Sequence, residues 1–298
     1  MTMRMSTEQA APEATVGPRE RRWWSRIPLH AALVIISLIW LVPTVALLVS
    51  SFRPASEVNT TGWWTAFQLP FGFTVENYGD VLTSNNLGQS FLNSLFITIP
   101  ATVIPVMVAA FAAYAFAWMD FPGRHILFVL VVALLVVPLQ SALIPVLQLT
   151  TAVGLTGTFP AVWLAHTGFG LPFAIFLLRN FFGALPKEMF ESAYLDGASP
   201  TTAFFRLVLP LSVPAIASLV IFQFMWVWND LLVALILVGG FPKVAPLTVT
   251  IANMVGTLGQ NWHLLTAAAF VSMVLPLIVF FSLQRYFVRG ILGGSIKG

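Results

Sequence analysis

The 298-residue chain carries 14 Lys and Arg and 11 Asp and Glu, so charged residues make up 8% of it and apolar residues 58%. Soluble proteins draw about a quarter of their residues from charged types, and so little charge cannot clothe a water-facing surface; the main solvent is lipid. A net charge of +3 gives no dense phosphate-neutralising face and argues against nucleic-acid binding, while zero cysteines exclude disulfides, thiolate metal sites and Cys nucleophiles.

Residues 1–27 are polar, contain Pro12, Gly17 and Pro18, and read as a disordered cytoplasmic tail. The tail ends in a basic cluster, Arg19–Arg26, with Trp23 and Trp24 placed to anchor it at the headgroups. Residues 28–298 then form one membrane domain. Six stretches reach the length of about 20 apolar residues that crosses a bilayer: Pro28–Val49, Phe91–Trp118, Ile126–Leu149, Thr158–Phe182, Leu211–Val238 and Leu264–Tyr286. The first is longer than the apolar core of a secretory signal and no small-residue cleavage site follows it, so it reads as a retained helix. The expected fold class is an all-α membrane protein with six transmembrane helices. Taking the tail as inside puts twelve of the 14 basic residues on the inner face and leaves only Arg53 and Lys243 outside. The positive-inside rule then predicts both termini in the cytoplasm, with residues 51–89 and 239–263 as extracytoplasmic loops.

Eleven of 20 prolines fall in or at the edges of these spans, and every span has at least one. Each removes a backbone donor, which suits a bundle that moves or lines a path, although proline is also commoner in membrane helices generally. Only Asp230 lies well inside a span. Ion-coupled carriers need several intramembrane ionisable groups, so uphill transport here would draw its energy from elsewhere.

The segment 185–210, between the fourth and fifth spans, parses as two short helices. Pro186 opens the first and Asp196-Gly197 ends it, with Gly197 suited to the left-handed C′ position. Ser199 caps the second and Pro200 opens it. Met189, Phe190, Ala193 and Tyr194 give the first helix an apolar side. Phe204 and Phe205 read as aromatic groups facing water, a docking surface for another protein.

Glu191-Ser192-Ala193, three residues, Gly197, nine residues and Leu207-Val208-Leu209-Pro210 resemble the EAA motif of ABC importer permeases. The resemblance implies a type I ABC importer permease fold. It also implies a coupling helix docked in a cytoplasmic ABC ATPase dimer. Glu191 would meet a basic group there, Ala193 and Asp196 belong to the motif, Gly197 makes the turn, Phe204 and Phe205 fill the cleft, and Pro210 closes the motif. The chain has no G-x-x-x-x-G-K-[ST] loop, so ATP is expected on the partner subunit and no cofactor, catalytic residue or metal on this chain. Trp228-Asn229-Asp230 and the ending Leu275-Pro276, Gln284-Arg285-Tyr286-Phe287, Arg289-Gly290 and Gly293–Gly298 are similar to MalG-like permeases of carbohydrate importers. That family implies a second, MalF-like permease and an extracytoplasmic sugar-binding protein facing loop 239–263. It also implies residence in the bacterial cytoplasmic membrane and a C-terminal tail, with Lys297, near the ATPase pair.

Sugars are held by aromatic faces and amide or hydroxyl hydrogen bonds. The substrate path is expected along Gln223, Trp226, Trp228, Asn229 and His166, with Gln140 and Gln148 as further candidates and the partner permease as the alternative holder. An importer for a non-sugar solute and a stand-alone secondary carrier are the competing functions.

Overall fold

The computed structural model describes residues 26–83, 86–255 and 261–295, with side chains described as far as Arg285. The predicted tail lies outside the described residues up to residue 25, as does Lys297. Among the described residues every regular element is helical. In chain order the α-helices are α1 (Ile27–Ser51), α2 (Ala55–Val58), α3 (Glu76–Thr83), α4 (Leu87–Trp118), α5 (Arg124–Ala133), α6 (Leu139–Ala152) and α7 (Phe159–Gly183). Then follow α8 (Lys187–Leu195), α9 (Pro200–Ala203), α10 (Leu209–Leu211), α11 (Val213–Trp228), α12 (Leu232–Leu237), α13 (Leu247–Met254) and α14 (Trp262–Ser295). A π-helical turn, Phe204–Val208, joins α9 to α10.

Four of these helices (α1, α4, α7 and α14) are individually long and apolar enough to cross a membrane, and two bent pairs bring the number to six. The bent pairs correct the sequence expectation. The third span is broken: the arm ending at Val136 and α6 meet at 104°. The cause is Pro138, which disfavours helical geometry at the residue before it; Val137 is extended at φ −72, ψ 117. The fifth span, expected through Val238, stops at Trp228. Its 16 residues in α11 reach about 24 Å, short of the ~30 Å hydrocarbon core. The segment Pro200–Leu211 precedes it at a 74° bend. Asp230, expected mid-span, instead closes the break. Its carboxylate accepts from the Val233 and Ala234 N–H groups at 3.3 and 3.0 Å, satisfying the first turn of α12 where a negative charge is favoured. The loop 239–263, expected irregular, contains α13, and the last helix runs on to Ser295 instead of ending at Tyr286.

The chain divides into two compact units, residues 1–46 and 47–298. In the first, the described part of α1 exposes Leu33, Val34, Ile35 and Ile36, four successive residues that together circle the helix, the pattern of a helix solvated by lipid. In the second, α4 packs along α7, and α11 packs on α4, α7 and α14. Buried small residues allow the close approach of α4 (Ala101, Ala109, Ala113) and α7 (Ala161, Gly170, Ala174).

Prolines decide how these helices are tied together. A proline frees the carbonyl four residues earlier, and a freed carbonyl in a bilayer must find a donor. Pro100 frees Phe96 O, which accepts from Trp163 Nε1 of α7 at 2.8 Å. Pro105 frees Ala101 O, which accepts from Gln223 Nε2 of α11 at 3.1 Å. Pro276 frees Ser272 O of α14, which accepts from Trp228 Nε1 at 3.0 Å. In each case the donor comes from the neighbouring helix. After α1, the segment to α3 is ordered by its own polar network: Asn77 Nδ2 donates to Ser51 O and Arg53 O, both at 2.9 Å. The buried Arg53 guanidinium donates to Thr61 Oγ1 and Thr65 Oγ1.

Candidate functional site

Two places concentrate the residues singled out above. The first is the segment from α8 to α10. Lys187–Leu195 is helical as its good helix formers dictate. It closes on a Schellman motif: the Ala198 N–H reaches Ala193 O at 2.9 Å, and the Gly197 N–H reaches Tyr194 O at 3.0 Å. Gly197 takes φ +81, the left-handed region that glycine enters without a Cβ penalty. Ser199 Oγ accepts from the Thr202 N–H at 3.2 Å and caps α9. One aromatic anchors α8 to the bundle. Phe190 is buried and stacks on Trp118 of α4 with ring centroids 3.6 Å apart, and Trp118 Nε1 donates to Phe182 O at 2.9 Å. Glu191, Asp196, Met189 and Tyr194 face outward, and Leu195 is 89% exposed.

Phe204 departs from the sequence expectation. It is 3% exposed and packs on Phe111 and Tyr114 of α4, at centroid distances of 4.8 and 5.2 Å. Only Phe205, 52% exposed, faces outward, and Pro210 is exposed as well. The π-helical turn at Phe204–Val208 widens the backbone where the two rings diverge. Phe204→Ala is therefore expected to destabilise the chain by about 3–5 kcal/mol, whereas Phe205→Ala changes it by no more than about 0.5 kcal/mol. Thermal unfolding of the two variants in detergent checks this; equal losses would show that both rings are packed alike.

The second place is a recess of about 240 Å³ between α7 and α11, lined by Phe169, Gly170, Phe173, Phe222, Gln223 and Trp226. Gln223 is 5% exposed. Its NH₂ is committed to Ala101 O, an atom that only accepts, which leaves its carbonyl oxygen Oε1 as the free end of the amide. A Cβ built on Gly170 would lie 2.7 Å from that oxygen and 2.8 Å from Nε2, so the amide lies flat against Gly170. Behind the recess Trp226 meets His166 edge-on at 4.9 Å. His166 is fully buried, its Nε2 lies 3.5 Å from Asp230 Oδ2, and neither ring nitrogen has a hydrogen-bond partner among the described residues.

Of the five path residues expected from sequence, Gln223, Trp226 and His166 come together here. Trp228 does not: it is buried on the α14 side of α11, stacked on Phe224. Asn229 is exposed and bonds its own helix through Met225 O. Gln140 and Gln148 are exposed on α6, away from the recess. Sequence reasoning missed Phe169, Gly170, Phe173 and Phe222. A signal was present, because Leu219, Phe222, Gln223 and Trp226 follow the i, i+3, i+4, i+7 spacing of one helix face.

A family model described as "Binding-protein-dependent transport system inner membrane component" matches residues 106–293, which hold both the α8 turn and the recess. The chain belongs to this family. Two relatives cover much of this permease. The osmoprotective compounds uptake permease protein GgtD of Synechocystis sp. is 58% identical over 282 residues, 94% of this chain and 95% of that one. The alpha-glucoside transport system permease protein AglG of Rhizobium meliloti is 56% identical over 234 residues, 77% of this chain and 62% of that one. Among solved structures, a chain of a bacterial ABC transporter involved in the import of the acidic polysaccharide alginate superposes with a TM-score of 0.78. It is 22% identical, and the match covers 90% of this chain and 98% of that one. That likeness establishes the importer permease fold.

Proposed function

We propose that this permease is one of a pair in an ATP-driven importer that carries a sugar or oligosaccharide inward across the cytoplasmic membrane. The observation that carries the reading is α8. It is a short helix anchored by one buried aromatic, closed by a left-handed glycine, and presenting acidic and apolar side chains outward at the spacing of the EAA motif. In this reading both termini and α8 lie on the cytoplasmic side, and a separate ATPase dimer receives α8. A MalF-like permease completes the membrane unit, and an extracytoplasmic binding protein delivers the solute to the 239–263 side. ATP hydrolysis belongs wholly to the partner subunits, since this chain has no phosphate-binding loop. The name of AglG, an alpha-glucoside permease, supports a glycoside-like cargo, and the substrate path runs past Gln223, Trp226 and His166.

The test is the complete transporter in proteoliposomes, with labelled α-glucosides supplied together with the binding protein. Uptake is expected only with ATP inside the vesicle. Uptake by this chain alone without ATP would make it a secondary carrier. ATP-driven uptake of amino acids or phosphate in place of any sugar would make it an importer of another solute class.

A further inference from the structure

We propose that the recess between α7 and α11 is a subsite for one neutral, hydroxyl-bearing ring of the substrate, a single pyranose unit, with Gln223 Oε1 as its hydrogen-bond acceptor. The proposal rests on the importer reading above and assigns this chain a share in holding the cargo.

The amide orientation comes first. Ala101 O has lost its helical donor to Pro105 and takes the Gln223 NH₂, which fixes Oε1 on the recess side. No donor reaches that oxygen among the described residues. The oxygen is not one of the fully buried, unpartnered polar atoms, so it opens into the recess, where it can accept from a ligand hydroxyl. Gly170 keeps the oxygen open, because any side chain there would press on the amide at 2.7–3.1 Å.

The walls select the rest of the ligand. Phe169, Phe173, Phe222 and Trp226 offer aromatic faces of the kind that pack against the C–H face of a sugar ring. The recess holds about 240 Å³, room for one sugar ring. No lining residue is charged. His166 stands behind the Trp226 indole. A uronic acid would therefore be desolvated without a cation to pair with, at a heavy cost.

The absence of cysteine from the chain makes the test direct. Phe173→Cys places one thiol on this chain at the rim of the recess, within the complete transporter in proteoliposomes. Its alkylation by a maleimide is followed with and without ATP and vanadate. Saturating maltose, trehalose or sucrose is expected to slow labelling at least ~5-fold for one or more of these sugars, and digalacturonate is expected not to. Phe222→Cys gives a second reporter if the first variant does not assemble. Adding Gly170→Ala to either reporter is expected to raise the protecting sugar concentration at least ~10-fold. Labelling that no neutral sugar slows would overturn the proposal. So would equal protection by the acid, or sugar-insensitive labelling by lipid-soluble maleimides alone, the signature of a groove filled by acyl chains. Protection is read without transport, so a failed subsite leaves ATP-driven wild-type uptake intact, whereas loss of that uptake strikes the importer reading.

Discussion

Gly197→Val is expected to reduce ATP-driven uptake by the assembled transporter more than ~10-fold while leaving the membrane helices folded. Gly197 sits at φ +81, where an ordinary L-residue pays about 1–2 kcal/mol and a β-branched one is a genuine outlier. The Schellman bonds from Gly197 and Ala198 back to Tyr194 and Ala193 depend on that conformation. Losing them would let the end of α8 unwind and carry Leu195 and Asp196 out of position. Nothing stands within 4 Å of where a Cβ would point, so the loss is one of backbone geometry and not of collision within this chain. Gly197→Asn, which tolerates the left-handed region, should accordingly keep most of the uptake, with Gly197→Ala between the two. Uptake rates and ATPase co-purification across the series check this. If asparagine were as damaging as valine, contact with a partner surface, not conformation, would set the requirement.

The second large effect concerns Trp228 and Pro276. Trp228→Phe keeps a ring for Phe224 and Phe91 to pack on but removes the indole donor to Ser272 O. A buried carbonyl left unpaired costs about 1–3 kcal/mol. Pro276→Ala restores an N–H at position 276 and with it the ordinary bond to the carbonyl four residues earlier. The double variant should therefore lose less stability than the two single variants added together, with a coupling of about 0.5–3 kcal/mol. Thermal unfolding in detergent of the four proteins closes the cycle. Strict additivity would mean that the tryptophan bond contributes nothing to satisfying that carbonyl.

These cases mark what could be read from the chain and what could not. Local rules reached the α8 turn: the Asp196-Gly197 pair and the Ser199-Pro200 pair carry their conformations in their own side chains. Hydropathy found the long helices, because a bilayer demands unbroken apolar runs. It passed over the breaks, since Val137-Pro138 and the residues after Asn229 lie within apolar stretches; the restriction that a proline places on its predecessor was the available signal. The fate of Phe204 was out of reach. Whether a loop aromatic faces water or packs on Phe111 and Tyr114, nearly a hundred residues away in the chain, is decided by how distant helices meet. The same holds for Trp228 and Gln223, whose amphipathic side chains read equally well as ligand contacts or as donors to a neighbouring backbone.

The three proline-freed carbonyls fix more than local hydrogen bonding. A side-chain donor meets a single carbonyl at one height on the neighbouring helix, so sliding a helix by one turn, about 5.4 Å, would strand all its partners at once. The pairs tie α4 to α7, α4 to α11 and α11 to α14, which makes these four helices one rigid frame. A rearrangement of these four helices must therefore keep their registers or break the three bonds that hold them.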